Sequence, residues 1–516
     1  AYLASLSRRR RIGRSLTGGL VVLAVLLTWQ ARTQPGRALT TVLRSAPPLR
    51  AMNLTQRLLR PEFPTTAPAI DRSPIMPDEA YARSLHRRAD APNIVLIVLE
   101  SVPARALGCY GAPRRDVTPN MDQLAAEGVL FEHCWSSASF SSYGLLSIET
   151  SLHLLRAAYN DHFADPTFPF MSIGRVLRLA GYETALFSSG NETFDNIKHF
   201  RDPADYDTYY CHETSGREHP DCMRMDDRFA VEQLEQWLPK RDRSRPLYAS
   251  FYLQSTHFNY EVPEPWSSYY QPTITQFGNG DSIIRIPPEV LPGLRNQFDN
   301  ALRYSDHWVG RIRSALAAAG ELDNCVIVIV GDHGEGFMEH GLARHGLSLW
   351  EEMIHVPLIW YLGPEARRNL GRPLSARVAD TVSSLDIAPT ICGLIGLPAH
   401  PSWQGRDVLA PGYTSRDRTI FAVLQLTRWQ EAVTVNGYKY IYDLTDVQPR
   451  LFDLRNDPGE RVDLIDSRPD VAERMHQILS AWHNHQLEYY AQRSFTTYVG
   501  IPDTASLAAG LREAAE

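Results

Sequence analysis

One stretch of the sequence, residues 325–360, constrains the fold more than any other: CVIVIVGDHGEGFMEHGLARHGLSLWEEMIHVPLIW. It begins with an apolar β-branched run, breaks at Gly331 into a loop rich in acidic residues and histidines, and returns to an apolar run at Val356. This order predicts a buried strand, a functional loop, a helix and a second buried strand. Asp332 and His333 follow the first strand at the edge where open parallel sheets bind ligands. We therefore predict a metal or phosphate site rather than a purely structural loop.

The rest of the chain repeats this alternation of apolar runs and helical segments. Residues 93–99, 181–187 and 247–253 are predicted strands, and polar residues follow each of them. The pattern predicts an α/β fold with a doubly wound, mostly parallel central sheet. From Thr419 onward, short alternating strands predict a small antiparallel carboxyl-terminal subdomain. Polar residues follow four strand ends, so we expect one composite site at that edge of the sheet.

The amino-terminal end carries the one concentrated basic run of the chain, residues 8–11 with Arg14. Residues 15–31 are uncharged, and their length is near the lower limit of about 17 residues for a transmembrane helix. Basic residues before such a helix predict a cytoplasmic amino end, with the remainder periplasmic or extracellular at the inner (plasma) membrane. A cleaved signal peptide and a buried core helix are the alternatives. The net charge of −7 argues against a nucleic-acid partner.

These features divide the chain into five parts. We expect a basic end with a transmembrane helix over 1–32, a juxtamembrane linker over 33–90, a catalytic domain over 91–415, a carboxyl-terminal subdomain over 416–490 and a tail over 491–516. Among the six cysteines, Cys211 and Cys222 flank a polar loop and are a candidate disulfide. The sequence does not decide whether Cys109 and Cys134 form a disulfide.

Two segments carry candidate site residues that the pattern alone does not settle. Glu100 follows the strand at 93–99, where a metal ligand and a capping residue are equal alternatives. A serine-rich segment, residues 136–142, precedes apolar residues at helical spacing. A serine near a helix amino terminus lies where N–H groups stabilise a bound oxyanion or phosphate. Taken alone, however, these serines are better explained as a helix cap.

Together, the motifs resemble the sulfatase and alkaline-phosphatase superfamily. The resemblance covers residues 93–464. It rests on these segments, in this order: NIVLIVLES, TPNMDQLAAEGVLFEHCW, GYETALF, STHFNY, GDHGEGFMEHG with HGLSLWEEMIHVPLI, and RLFDLRNDPGERVDL. The resemblance implies a metal-dependent enzyme.

The resemblance also implies a nucleophile and a metal site. One divalent ion is expected to be held by Glu100, Ser141, Asp332 and His333. Ser141 aligns with the nucleophile of the family, and Ser142 takes its place if the alignment shifts by one residue. Because these ligands mix oxygen and nitrogen, we expect Mn²⁺ first, with Zn²⁺, Mg²⁺ and Ca²⁺ as alternatives.

The remaining matches concern the substrate. His257 resembles the family residue that protonates the leaving group or contacts the ester oxygen. His345 resembles a catalytic histidine that contacts the substrate. Asn191, Tyr143 and Ser142 are expected to bind the substrate beside them.

The sequence also departs from the sulfatases. Their nucleophile lies in C/S-x-P/A-x-R, from which formylglycine is made, whereas here residues 141–145 read SSYGL. Conversion of Ser141 is therefore not expected, and an unmodified serine suits phosphorus chemistry because water or an alcohol can attack a phosphoseryl ester. The pair Glu100-Ser101 and the segment SSGNETFDN resemble lipoteichoic-acid-synthase-like phosphotransferases.

These features predict a membrane-anchored, metal-dependent phosphotransferase. It would move a phosphoryl or substituted phosphoryl group, such as phosphoglycerol or phosphoethanolamine, through Ser141 to an envelope glycan, a lipid or water. One alternative is a sulfatase or phosphatase that acts on soluble esters. A more remote alternative is a catalytically idle binding protein.

Overall fold

The apolar runs of the sequence form the centre of an eight-stranded sheet. The computed structural model describes residues 78–490 except 154–167, 169, 218–222, 275–285, 372, 417 and 427. Its strands are β1 (Asn93–Leu99), β2 (Val129–Trp135), β3 (Glu183–Ser188), β4 (Thr208–Tyr210), β5 (Leu247–Leu253), β6 (Cys325–Gly331), β7 (Gly336–Phe337), β8 (Ala343–Arg344), β9 (Leu358–Leu362), β10 (Arg377–Ser383), β11 (Ile420–Gln425), β12 (Trp429–Val435), β13 (Tyr438–Asp443) and β14 (Gln448–Asp453).

Helices connect these strands and cover the sheet. They are α1 (Asp78–Ser84), α2 (Pro119–Glu127), α3 (Ser141–Thr150), α4 (Ile173–Leu179), α5 (Ile197–Phe200), α6 (Asp227–Trp237), α7 (Leu291–Ala318), α8 (Glu351–Ile354), α9 (Pro364–Leu370), α10 (Ile387–Ile395) and α11 (Pro469–Tyr490).

The strand order in the central sheet is β10-β2-β9-β6-β1-β5-β3-β4. Among the described strands of this sheet, seven run parallel and β9 runs antiparallel to its neighbours β2 and β6. All seven residues of β1 are buried. Ile94 and Leu96 belong to one core and Val95 and Ile97 to the other, because successive side chains of a strand point to opposite faces.

Helices α3, α10 and α11 contribute to the first core, and α2, α6 and α7 contribute to the second. The β11-β12-β13-β14 strands form a separate four-stranded antiparallel sheet. The predicted α/β class, with a mostly parallel central sheet and a small antiparallel sheet near the carboxyl end, is therefore confirmed. The domain boundaries given above stay a prediction.

Buried ion pairs join the small sheet to the loop that follows β6. The ammonium of Lys439, on β13, lies 2.8 Å from a carboxylate oxygen of Glu351, on α8, and 2.8 Å from one of Glu460. The side chains of Lys439 and Glu460 have no exposed surface. Removing one partner of such a pair would leave an uncompensated buried charge, so the contact between the small sheet and α8 depends on all three residues.

One helix differs from the sequence-based expectation. The pattern predicts two helices, at 288–306 and 308–319, but α7 continues through both. Asp306, at the expected break, accepts hydrogen bonds from the backbone N–H groups of Asn120 and Met121, at 3.1 and 2.8 Å. It therefore satisfies the amino terminus of α2 from a neighbouring helix and does not end its own.

The predicted location at the plasma membrane is corrected by the structure. Within the described parts of residues 78–490, none of the helices combines the length and the apolar surface that crossing a bilayer needs. The longest, α7, carries Arg295, Asp299 and Arg303, and charged side chains are costly to bury in lipid. The membrane location is therefore withdrawn. Residues 15–31, on which it rested, lie outside the described residues, as do Cys222 of the candidate disulfide and the tail at 491–516.

Gly144 allows α3 to pack closely against the loop that follows β6. A Cβ atom at this position would lie 2.2 Å from the carbonyl oxygen of Asp332. The hydroxyl of Ser136 donates to the same carbonyl oxygen, which limits its freedom to move away. The helix that begins at Ser141 and the loop that carries Asp332 thus meet backbone to backbone.

We expect Gly144→Ala to lower the free energy of unfolding by about 1–3 kcal/mol, since the added methyl group overpacks this contact. Chemical denaturation measures the change. The matched control is Gly293→Ala near the start of α7, where the nearest heavy atoms to a Cβ lie 3.6 Å away. That variant should be unchanged or more stable by up to about 1 kcal/mol. Equal effects of the two substitutions would show that the close approach at Gly144 is unimportant.

Candidate active site

The register of the central sheet brings four predicted site residues together. Leu99 of β1 pairs with Gly331 of β6, so Glu100 and Asp332, the next residues, leave the sheet side by side. Ser141, the first residue of α3, donates its hydroxyl to a carboxylate oxygen of Glu100 at 3.0 Å. The Nε2 atom of His333 lies 3.0 Å from the same hydroxyl oxygen.

The two carboxylates share a donor that the sequence did not suggest. Tyr252, on β5, donates its hydroxyl to Glu100 and to Asp332, the latter at 2.8 Å. The backbone N–H groups of Ser101 and His333 donate to the other oxygen of Asp332, at 2.9 and 2.6 Å. Because Tyr252 lies inside an apolar strand, no polar neighbour in the sequence marks it as a site residue.

Without a metal ion, protons compensate the buried carboxylates of this group. Burial and the charge of Glu100 hold the pKa of the Asp332 carboxyl well above its usual value. Burial alone would lower the pKa of His333, but Asp332 and Glu100 raise it to about 10. His333 donates from Nδ1 to the carbonyl oxygen of Gly334 at 2.8 Å, so its Nε2 faces the carboxylates.

This donor set fits a divalent ion of the kind that the superfamily typically uses. Two buried carboxylates, an imidazole Nε2 and a hydroxyl offer the mixed oxygen and nitrogen ligands expected for Mn²⁺ or Zn²⁺. Single ligand atoms of Glu100, His333 and His345 lie within 4.8 Å of one another, so His345 is a further candidate ligand. The identity of the ion stays a prediction.

Two histidines lie near the residues that contact Ser141. The ring of His345 lies 4.4 Å from that of His333, centre to centre. Nδ1 of His345 lies 2.6 Å from a carboxylate oxygen of Glu335 and 3.2 Å from the hydroxyl of Ser101.

His257 lies next to His345, with 6.1 Å between their ring centres. Burial lowers the pKa of His257, although the charge of Glu100 opposes this. Both predicted catalytic histidines therefore lie near the metal-ligand candidates.

The predicted substrate-binding residues lie in different surroundings from one another. Ser142 is buried, and its hydroxyl donates to a carboxylate oxygen of Asp195 at 2.8 Å. Asn191 lies in the same loop as Asp195, and its side-chain oxygen accepts hydrogen bonds from the backbone and hydroxyl of Thr193. Asp195 was not expected from the sequence, because nothing separates it from an ordinary solvated loop residue.

Tyr143 is not placed as a substrate-binding residue would be. Only 1% of its surface is exposed, and its hydroxyl donates to the carbonyl oxygen of Gln425 at 3.2 Å. Gln425 is the last residue of β11, so Tyr143 joins the nucleophile helix to the small sheet. Its apolar ring belongs to the first core, which explains why it turns away from the site.

Comparison with known proteins shows the family to which the chain belongs. A family model described as Sulfatase matches residues 92–397, which is more than half of the chain. The chain therefore belongs to the sulfatase family and is a hydrolase of that family by class. The predicted superfamily is confirmed, whereas the finer resemblance to lipoteichoic-acid synthases stays a prediction.

Individual relatives cover most of the chain at low identity. The Δ4,5-hexuronate-2-O-sulfatase of Bacteroides thetaiotaomicron is 21% identical over 466 residues, which span 79% of this chain and 90% of that protein. A structure solved in complex with its substrate D-glucosamine-2-N,6-O-disulfate covers 78% of this chain and 98% of its own, at 18% identity and a TM-score of 0.58. The phosphonate monoester hydrolase of Agrobacterium radiobacter covers 78% of this chain and 96% of its own, at 18% identity and a TM-score of 0.56. These relatives favour the alternative of a hydrolase over a membrane-anchored phosphotransferase.

We expect Asp332→Asn to raise the melting temperature of metal-free protein by a few degrees, because the variant removes a buried carboxylate beside Glu100. The same variant should lose the increase in melting temperature that a divalent ion gives the unchanged protein. Differential scanning fluorimetry after chelation, with and without Mn²⁺, measures both effects.

The matched control is Glu352→Gln. Glu352 belongs to a second group of possible ligands, with His340 and Glu460, on the small-sheet side. This variant should keep the increase in melting temperature that the divalent ion gives. If Asp332→Asn keeps that increase and Glu352→Gln loses it, the metal site has been placed at the wrong carboxylates.

Proposed function

We propose that the protein hydrolyses phosphate esters through Ser141 as an unmodified serine nucleophile. The observation that carries the proposal is the position of the Ser141 hydroxyl, 3.0 Å from both Glu100 and His333 at the start of a helix. The sequence around it supports the choice of phosphorus, because residues 143 and 145 are Tyr and Leu instead of the Pro or Ala and the Arg of the formylglycine motif.

The first step would form a bond between Ser141 Oγ and phosphorus while the bond from phosphorus to the ester oxygen breaks. Glu100 already accepts a hydrogen bond from the hydroxyl, so it is the first acceptor of the proton as the oxygen attacks. No side chain caps the amino terminus of α3, so its N–H groups are available to stabilise the non-bridging oxygens.

The departing oxygen needs a proton, and His345 is the candidate donor, because the lowered pKa of His257 favours its neutral form. Glu335 and Ser101 hold Nδ1 of His345, which leaves Nε2 for the substrate. Water then attacks phosphorus and gives a proton to His345, while the bond from phosphorus to Ser141 Oγ breaks and this oxygen takes back the proton held by Glu100. A divalent ion held by Glu100, Asp332, His333 and Ser141 would neutralise charge and lower the pKa of the hydroxyl.

A hydrolase replaces the transferase expected from the sequence. The argument for a lipid donor or an envelope acceptor rested on the membrane anchor, which is withdrawn. Water is the simplest acceptor that the site needs. The relatives named above are hydrolases, which supports the same choice.

We expect Ser141→Ala to lower kcat on bis(p-nitrophenyl) phosphate by about 10³-fold or more, because the nucleophile is lost. Release of p-nitrophenol with Mn²⁺ present measures the rate. Ser142→Ala tests the alignment shifted by one residue, and it should lower kcat far less. Ser147→Ala, a buried serine of the same helix, controls for folding. Wild-type rates from Ser141→Ala would contradict the proposal.

A second candidate function is hydrolysis of sulfate esters, which the names of several relatives favour. Sulfate transfer to an unmodified serine would leave a stable ester, so this function requires formylglycine at position 141. The two candidates therefore differ in one covalent feature.

The intact mass of the peptide that contains Ser141 separates these functions. We expect the mass of an unmodified serine. A peptide lighter by two hydrogen atoms, with cleavage of p-nitrophenyl sulfate, would favour the sulfatase and contradict the phosphate-ester proposal.

A further inference from the structure

Arg344 is the residue before His345 and lies at the solvent-facing end of the site. Arg344, His345 and His257 are partly exposed. The carboxylates of Glu100 and Asp332, by contrast, have no exposed surface. The site is therefore open to solvent on the side of Arg344 and the two histidines.

The backbone at Arg344 has an unusual conformation. Its φ angle is 73°, in the left-handed region that residues other than glycine seldom adopt. In a regular strand, successive side chains point to opposite faces. Here, Cζ of Arg344 lies 4.2 Å from the ring centre of Phe258. The ring of His345 lies 6.1 Å from that of His257, the residue before Phe258. Two consecutive side chains thus lie against one loop.

The guanidinium of Arg344 lies over an aromatic ring and has no polar partner. Within the described parts of the chain, no group forms a hydrogen bond or an ion pair with it. Two other arginines differ in this respect, because Arg105 and Arg295 each lie 2.8 Å from the same carboxylate oxygen of Glu339. A ring attracts a guanidinium through its π face and leaves the N–H groups at the edge available. The donors of Arg344 are therefore available to a ligand.

Glu335, a buried acid of the same loop, is occupied by other groups. One of its oxygens accepts a hydrogen bond from the hydroxyl of Tyr260. The other lies 2.6 Å from Nδ1 of His345. Burial and the charge of Glu335 hold the pKa of Tyr260 well above its usual value, and the positive charge of Arg344 opposes this rise. The charge of Arg344 therefore acts on the residues that hold His345, although its donors do not bind them.

We propose that Arg344 binds an oxyanion group, such as a carboxylate, on the alcohol that leaves during cleavage, so that the substrate is a phosphate ester of an acidic alcohol. The inference rests on the proposed function and specifies its substrate class. His345, the next residue, is the candidate proton donor to the departing oxygen, so the leaving alcohol lies on the side of Arg344. The planar guanidinium fits a carboxylate, which can accept two of its N–H groups at once.

A merely solvated arginine predicts something different. Its removal would change stability or the overall rate only slightly, without regard to the charge of the substrate. Recognition of an oxyanion instead changes the choice between a charged and a neutral ester of equal size. The test therefore compares a matched pair of esters in the same enzyme.

The esters are methyl 3-carboxy-4-nitrophenyl phosphate and methyl 3-carbamoyl-4-nitrophenyl phosphate, whose leaving phenols carry a carboxylate and an amide. The ratio of their kcat/KM values is measured with Mn²⁺ for the full chain. It is divided by the ratio of their rates of alkaline hydrolysis without enzyme, which corrects for their intrinsic reactivity. We expect the unchanged enzyme to prefer the carboxylate by about 10- to 100-fold, as a hydrogen bond between charged groups provides.

Variants assign this preference to one side chain. Arg344→Gln should bring the corrected ratio close to one, with little change in turnover of the amide ester. Arg344→Lys, which keeps the charge without the planar pair of donors, should give an intermediate ratio. The matched control is Arg295→Gln, which should keep the preference. Cζ of Arg295 also lies over a ring, 5.0 Å from the centre of Phe337, but this arginine is paired with Glu339.

The corrected ratios separate this inference from the proposed function. A ratio near one in the unchanged enzyme overturns the inference, whether or not Arg344→Gln folds. So does an unaltered ratio in a folded Arg344→Gln variant, or an equal loss of preference in Arg295→Gln. Turnover that depends on Ser141 but shows no preference for the carboxylate overturns this inference alone, whereas no turnover of either ester overturns the proposed function with it.

Discussion

Two buried carboxylates, Glu100 and Asp332, lie next to each other at the ends of β1 and β6, and the rest of the site depends on this contact. Like charges in a buried environment repel each other unless a proton or a cation compensates them. Tyr252 bridges the two carboxylates, and His333 faces them with a pKa raised to about 10. The hydroxyl of Ser141 joins this group. A divalent ion bound here would take the place of these protons beside the nucleophile candidate.

The fold keeps this costly arrangement in place from two directions. The parallel pairing of β1 with β6 fixes the two carboxylates, and the close contact of Gly144 with the backbone of Asp332 fixes the helix of Ser141 above them. The small sheet adds the buried ion pairs of Lys439. The small sheet is therefore part of the active-site support.

The sequence predicted those parts of the site that follow directly from strand ends. Polar residues after a continuous apolar run indicated Asp332 and His333, because parallel strands end at one edge of a sheet, whereas Glu100 needed the family resemblance to be preferred over a capping residue. Ser141 needed the family resemblance, since its serine-rich segment alone is typical of a helix cap. Tyr252 was missed because a tyrosine inside a buried strand gives no sign of its partners, which come from strands far apart in the chain. The orientation of Tyr143 toward the small sheet, and the role of Asp306 at α2, likewise depend on tertiary contacts.

The most direct test is an anomalous diffraction experiment on crystals grown with Mn²⁺, at a wavelength where manganese scatters anomalously. The account predicts one strong peak within bonding distance of Glu100, Asp332 and His333, beside the Ser141 hydroxyl. A peak at the group of His340, Glu352 and Glu460 instead, or none at either group, would contradict it.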